Sequence, residues 1–153
     1  MRSLELRIPP PLVALFIGSA MWGVASLGPS QLLPQFIRHL VAGVVAAAGV
    51  AVNVTGMVTF GRAGTTLNPM KPETASSLVS TGIFAVTRNP MYLGALIVLL
   101  AWAIYLSSMW AFLGLVAFVL YITRFQIIPE ERALAAVFGS TFSEYKKRVP
   151  RWL

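Results

Sequence analysis

The longest uncharged stretch of the chain runs for 35 residues between Arg88 and Arg124. It is too long for a single membrane-spanning helix, which needs about 20 apolar residues. A turn at Ser107-Ser108 would divide it into two apolar segments of about 17 residues, each roughly 26 Å long as a helix. The stretch therefore predicts a hairpin of two membrane helices.

Two further uncharged stretches precede the hairpin, with 30 residues between Arg7 and Arg38 and 22 between His39 and Arg62. Charged residues make up 11% of the chain, against about 25% in soluble domains. We therefore expect an all-α integral membrane protein with one domain over 1–153. Its transmembrane helices are predicted near 10–27, 40–60, 90–106 and 109–127, with a cytoplasmic loop at 61–89 and short cytoplasmic C-terminal helices at 129–149.

The basic residues are distributed unequally between the two ends of these spans. With four spans, eleven of the twelve Lys and Arg fall on the side of both termini, and Arg38 alone falls on the other. Because basic loops remain in the cytoplasm, the bias predicts cytoplasmic termini. The shortness of the chain is typical of a prokaryotic protein, so we expect the membrane to be a prokaryotic inner membrane. It disfavours a cleaved signal peptide in place of the first span. The cations flank apolar stretches, so anionic membrane lipids explain the net charge of +7 better than nucleic acid does.

The residue types present exclude several kinds of site. The chain has no Cys, no Asp and a single His, His39. A thiol nucleophile, a Cys/His zinc site and a Ser-His-Asp triad are therefore impossible, and we expect no metal. No ionisable side chain lies in the middle of a predicted span, which disfavours a proton-coupled transporter.

The second span and the loop after it carry two structural signals. Gly43, Ala47 and Ala51 recur at four-residue spacing and predict a close helix contact. Asn53 and Thr55 are polar within the same span, and we expect both to hydrogen-bond to neighbouring helices. The 61–81 loop is long enough to be functional, and it predicts an ordered cover over a cytoplasmic pocket.

A polar cluster opens the third helix, Arg88-Asn89-Pro90-Met91-Tyr92. Asn89 is a favourable helix N-cap, and Pro90 suits the first helical position. The simplest interpretation is a capped helix start whose Arg88 and Tyr92 lie at the membrane surface. The alternative is a ligand site at the boundary between water and lipid.

A second polar cluster, Pro129-Glu130-Glu131, follows the fourth span. Carboxylates are favourable in the first turn of a helix because they interact with its dipole. This placement alone would account for both glutamates. Gly139 is predicted to end the helix that they begin.

Taken in order, these motifs resemble the isoprenylcysteine carboxyl methyltransferase family. The matching features are Arg-Asn-Pro-Met-Tyr-Leu-Gly at 88–94, the helical hairpin, Pro-Glu-Glu at 129–131 and Tyr-Lys-Lys-Arg-Val-Pro-Arg at 145–151. The related phospholipid N-methyltransferases share the same C-terminal half. The resemblance covers 60–153 and implies a membrane enzyme that transfers a methyl group from S-adenosylmethionine, leaving S-adenosylhomocysteine. The acceptor would be lipophilic, with a carboxylate, thiol or amine at the cytoplasmic face.

The resemblance also implies roles for individual residues. The catalytic residues would be Glu130, Arg88 and Tyr92. The cofactor-binding residues would be Ser76, Ser77, Leu78, Val79, Phe84, Asn89, Pro90, Met91, Tyr92, Glu130 and Glu131. The candidates for substrate binding are Gln126, Arg124 and Arg151.

Two positions depart from the family pattern. Asn89 replaces the usual histidine, so this position cannot titrate. Gln126 replaces a substrate-contacting arginine of the eukaryotic enzymes, which weakens the case for a carboxylate acceptor more than the case for the methyl donor. Two other functions stay open on the sequence, a small four-helix transporter and a non-catalytic membrane assembly protein, and the oligomeric state is undetermined.

Overall fold

The computed structural model describes residues 5–27, 34–64 and 76–153. In these residues all regular structure is helical, with no strand, as the sequence predicts. The five helices are α1 (Pro10–Ala25), α2 (Gln35–Arg62), α3 (Pro90–Leu106), α4 (Leu113–Ile122) and α5 (Ile128–Arg148). Short 3-10 turns form at Gly82–Ala85 and Met109–Phe112, and a π turn at Thr123–Ile127 joins α4 to α5.

Two helical stretches of the described residues are long and apolar enough to cross a membrane. They are α2 and the continuous helical stretch Met109–Arg148, of 28 and 40 residues. Helices α1 and α3 are apolar but shorter, with 16 and 17 residues. The structure therefore supports two candidate spans, and four spans remain a prediction, although α3 has the same limits as the predicted third span.

Helices α2 and α3 pack with their backbones in contact at Gly49 and Gly94. A Cβ atom added to Gly94 would lie 2.7 Å from the carbonyl oxygen of Gly49, so only glycine allows this approach. Asn53 Nδ2 donates to the carbonyl oxygen of Met91 on α3 at 3.0 Å, as expected. Thr55 does not bond to a neighbouring helix; its hydroxyl donates to a carbonyl of α2 itself.

Helix α2 does use small residues in its contact with α3, but they are not the residues that the sequence predicts. The predicted positions are all exposed in the structure, namely Gly43, Ala47 and Ala51. The buried positions of α2 are Ala42, Gly49 and Gly56. These recur every seven residues, which is about two helical turns, and so they stay on the face that meets α3.

The hairpin turn lies where the sequence predicts it. Helix α3 ends at Leu106, and Ser107 adopts a left-handed conformation with φ 51°. Both Ser107 and Ser108 are buried. The chain then reverses through the 3-10 turn into α4, which packs against α1 and α3.

Glu130 and Glu131 lie in the first turn of α5, after Pro129, as the sequence predicts. This turn is not a free helix N-terminus, because α4 continues through the π turn into α5. In an ordinary helix the ring of Pro129 would clash with the carbonyl group of the preceding turn. The wider π turn immediately before it relieves this clash. The helix is interrupted at Gly139, the position that the sequence predicts, where φ is 53°.

Candidate functional site

The first turns of α3 and α5 bring Tyr92 and Glu130 together. The Tyr92 hydroxyl donates to Glu130 Oε1 at 2.5 Å, and Tyr92 is only 9% exposed. Glu130 lies beyond the apolar stretch 109–127. Burial raises the pKa of Glu130 to about 7; the hydrogen bond from Tyr92 opposes this shift, and the charge of Glu131 adds to it. Near neutral pH this carboxyl group is therefore divided between its protonated and ionised forms.

The neighbouring Glu131 gathers three cations. Arg151 donates to both of its carboxylate oxygens, from Nε at 3.0 Å and from Nη2 at 2.8 Å. Arg88 Nη2 lies 3.1 Å from Oε1, and Lys146 Nζ lies 4.0 Å from Oε2. Burial alone would raise the pKa of Glu131, but the hydrogen bond from Arg151 and the three positive charges outweigh it and lower the pKa. Glu131 is therefore ionised at neutral pH.

The C-terminal segment is tied across the start of α3. The backbone N–H of Arg88 donates to the carbonyl oxygen of Pro150 at 3.0 Å. The carbonyl oxygen of Arg151 accepts from Asn89 Nδ2 at 2.8 Å and from the Thr87 hydroxyl at 3.4 Å. Asn89 occupies the N-cap position of α3, but its side chain makes no capping hydrogen bond. The predicted N-cap position is therefore confirmed, but the side-chain amide does not cap the helix and instead holds the C-terminal segment in place.

Two nitrogen atoms of the Arg88 guanidinium make no hydrogen bond to the described residues. Its side chain is only 10% exposed, and its Nη2 atom pairs with Glu131. Its Nε and Nη1 atoms are buried and have no partner among the described residues. Buried guanidinium donors are normally satisfied, so this position is suited to an anionic ligand group.

The predicted upstream segment packs against the second half of α5. Residues 65–75 of the predicted loop cover lie outside the described residues, and the chain is described again from Ser76. Val79 is buried, and Leu78 contacts the apolar cluster of Phe142, Tyr145 and Val149. The Tyr145 hydroxyl donates to the carbonyl oxygen of Phe84 at 2.7 Å. Phe84 is itself buried, so the segment forms part of the support of the site.

An apolar groove of about 1490 Å³ begins at Tyr92. Helices α1, α2 and α3 all contribute to its lining, and Tyr92 lies at one end together with Asn53, Met57 and Met91. No Lys, Arg or Glu of the described ranges lines it. Tyr92 therefore takes part in both places, because its hydroxyl meets Glu130 and the residue also lines the groove.

Two of the three predicted substrate-binding residues lie away from both the polar site and the groove. Gln126 is fully buried, and its Nε2 atom donates to the carbonyl oxygen of Ile8 at 2.6 Å. Arg124 Nη1 donates to Glu5 at 2.8 Å. Both side chains therefore hold the N-terminal segment, and neither lines the groove. The third candidate, Arg151, pairs with Glu131.

Sequence reasoning missed the groove. Its lining comes from three helices, and the contributing positions become neighbours only when those helices pack. One signal was available in Asn53, a polar residue within an apolar helix, which was interpreted as a packing residue alone. Lys146 was likewise placed only in the basic C-terminal motif, without its contact to Glu131.

The fold and this site define a helical, membrane-associated protein with a buried polar site at the end of an apolar groove. The family model for phospholipid methyltransferases matches residues 37–141, which includes Tyr92, Glu130 and Glu131. The chain belongs to the phospholipid methyltransferase family, and its class is that of the methyltransferases.

Individual relatives agree with this family. The chain is 33% identical over 99 residues to protein-S-isoprenylcysteine O-methyltransferase B of Arabidopsis thaliana, and 30% identical over 99 residues to protein-S-isoprenylcysteine O-methyltransferase of Schizosaccharomyces pombe. Each match covers 63% of this chain but only 49% and 41%, respectively, of those relatives. An uncharacterized protein of Haemophilus influenzae is 46% identical over 63 residues, 41% of this chain and 100% of that protein. No solved structure matches the chain.

Proposed function

We propose that the chain uses S-adenosylmethionine to methylate a lipophilic acceptor at the cytoplasmic face of a membrane. The observation that carries this proposal is the double position of Tyr92, between the buried polar site and the apolar groove. A polar cofactor and an apolar acceptor can meet only where two such environments adjoin. Membership of a methyltransferase family supports the choice of methyl transfer.

The residues of the polar site fit the groups of this cofactor. Its carboxylate suits the two unpartnered nitrogens of Arg88, and its ammonium suits the ionised carboxylate of Glu130. The ring of Tyr92 suits the sulfonium through a cation–π interaction, worth about 0.5–2 kcal/mol. When bound, S-adenosylmethionine supplies a methyl group that its sulfonium already activates. The protein then has to align the reactants and exclude water, and alignment alone is worth roughly 7–11 kcal/mol.

The groove indicates the character of the acceptor. Its lining is almost wholly apolar, and at the Tyr92 end the polar contribution of α2 is the amide of Asn53. A carboxylate head would be left without a cation there, among the described residues, and burying an unpaired charge is costly. We therefore favour a thiol, or an amine that binds in its neutral form, as the methylated group over a carboxylate, with the apolar part of the acceptor entering from the membrane.

Binding of S-adenosylhomocysteine tests the cofactor site. In detergent-solubilised protein, isothermal titration calorimetry should show Glu130→Gln and Arg88→Gln weakening the affinity by about 10- to 100-fold, since each removes a hydrogen bond to a charged group. The control for Glu130→Gln is Glu144→Gln, which makes the same change of charge at an exposed position. Undiminished affinity in both site variants would overturn the assignment. A transporter or an assembly protein would not bind S-adenosylhomocysteine at all.

A second ligand shows whether Arg88 binds the carboxylate of the cofactor or supports the whole site. The nucleoside 5′-methylthioadenosine lacks the amino-acid part of the cofactor, so Arg88→Gln should leave its affinity almost unchanged. Equal losses for both ligands would mean that Arg88 supports the whole site and does not bind the carboxylate. Incubation of membranes with a methyl-labelled donor would then identify the acceptor, through the lipid-soluble species that gains the label.

A further inference from the structure

Three stacked rings line the end of the groove farthest from Tyr92. Trp102 and Tyr105, one turn apart on α3, stack with their centroids 5.3 Å apart and their planes 10° apart. His39 of α2 also stacks on Tyr105, at 5.4 Å and 20°. Trp102 Nε1 donates to the carbonyl oxygen of Gly18 on α1 at 3.0 Å. We call these three residues, His39, Tyr105 and Trp102, the ring bridge, because together they connect α1, α3 and α2.

The ring bridge is held more firmly than three separate side chains would be. Each ring is fixed by a neighbour, and Arg38 adds a guanidinium 5.6 Å from the centre of the Tyr105 ring. All three rings also line the groove. Offset aromatic pairs and cation–π contacts each add stability beyond the area that they bury. These contacts therefore connect the rings that line this end of the groove.

The distance from Tyr92 to the ring bridge indicates the length of ligand that the groove can hold. On α3 the ring of the bridge nearest to Tyr92 is Trp102, which follows it by ten residues, or about 15 Å along a helix. The hydrocarbon core of a bilayer is about 30 Å thick, so one lipid chain spans about 15 Å of it. Between the two ends the lining side chains are apolar and mostly small, such as Ala14, Ala46 and Ala95. The groove thus has the length of one extended lipid chain.

We propose that the ring bridge limits the length of the apolar chain that the acceptor places in the groove. This inference rests on the proposed function, since it takes the groove as the acceptor site. A chain that ends before the rings gains contact with each added methylene. A longer chain has to displace the stacked rings or turn out of the groove, so its additional methylenes gain no contact. The bridge is accordingly a specificity-determining element and takes no part in the methyl transfer.

Binding of a chain-length series tests the bridge without methyl transfer. The probes are straight-chain primary amines of increasing length, each with a photoreactive diazirine on its terminal carbon, added to the full-length protein in detergent. Mass spectrometry should locate the label near Ala95 for short probes and at Trp102 or Tyr105 for long ones. The affinity should rise with length and then level off when the label reaches the ring bridge.

Variants of the bridge should move this plateau. In Tyr105→Ala, a probe two methylenes beyond the wild-type plateau should bind about tenfold more tightly than it does to wild type. His39→Ala, at the exposed edge of the bridge, should give a shift in the same direction and serves if the first variant does not fold. Tyr105→Phe, which keeps the ring, should retain the wild-type plateau.

The matched control is Trp110→Ala, an exposed aromatic position near the same ends of the helices but outside the groove lining. An unchanged plateau in Tyr105→Ala and His39→Ala would overturn the proposal, as would labelling confined to lipid-facing residues of α4. Either result would leave the binding of S-adenosylhomocysteine intact. Failure of the wild-type protein to bind S-adenosylhomocysteine would instead refute the proposed function.

Discussion

The affinity for S-adenosylhomocysteine should increase as the pH is raised through neutrality, because Glu130 must be ionised to attract the ligand's ammonium group. The pKa of Glu130 is raised to about 7, and burial is the largest cause. The ionised fraction then grows from about one tenth near pH 6 to about nine tenths near pH 8, so the binding constant should grow about tenfold. In Glu130→Gln the affinity should be low and almost independent of pH over this interval.

The measurement is a calorimetric titration with S-adenosylhomocysteine at a series of pH values, in one detergent and at constant ionic strength. Glu144→Gln provides the control, since this exposed carboxylate should leave the pH profile unchanged. A flat profile for wild type, or the same slope in wild type and Glu130→Gln, would show that Glu130 does not bind the ammonium. A slope of opposite sign would mean that the protonated carboxyl group is the binding form.

The raised pKa of Glu130 has the opposite effect on the stability of the ligand-free protein, which should decrease as the pH rises. Because the pKa of Glu130 is higher in the folded protein than the ordinary value for glutamate, the folded state holds its proton more tightly than the unfolded state does. Stability is therefore greatest below the unfolded pKa and falls as the pH rises towards 7, by about 3 kcal/mol at most. Glu130→Gln should remove this fall, which thermal melting at several pH values would detect.

Two further predictions concern packing and the C-terminal segment. Gly94→Ala should lower stability by about 1–3 kcal/mol, because its Cβ would press on the backbone of Gly49. Gly43→Ala is the control and should be neutral or stabilising, since the added atom would have open space around it. Equal changes in melting temperature in the two variants would contradict this packing. Asn89→Ala should weaken the attachment of the C-terminal segment by about 1 kcal/mol, through loss of the hydrogen bond to the carbonyl oxygen of Arg151. Hydrogen exchange should then be faster near Arg151, and unchanged exchange there would argue against this role.

Several local features could be predicted from the sequence because neighbouring residues determine them. Pro90 opens α3, since its ring suits the first helical position. The reversal at Ser107-Ser108 and the interruption at Gly139 occur where polar or glycine residues break apolar helices. Pro129 and the two glutamates lie in the first turn of α5, as the sequence predicts, although the preceding π turn joins this helix to α4.

The site could be predicted only in part. The association of Tyr92 with Glu130 followed from the family resemblance, since spacing alone cannot relate positions 38 residues apart. The role of Asn89 was not predictable, because its partner is a backbone carbonyl group near the other end of the chain. Gln126 was expected to contact substrate, yet its partner, Ile8, belongs to the N-terminal segment.

The sequence by itself determined that this chain is helical and apolar and that its polar groups collect at the ends of helices, because hydropathy, charge and turn chemistry are local properties. Only the tertiary structure decided which face of each helix is buried, since a helix with apolar residues all round offers several equivalent faces. Contact between the backbones at Gly49 and Gly94 selects one face of α2. That choice leaves the groove open beside Tyr92 and so brings a polar site and an apolar one to the same side chain.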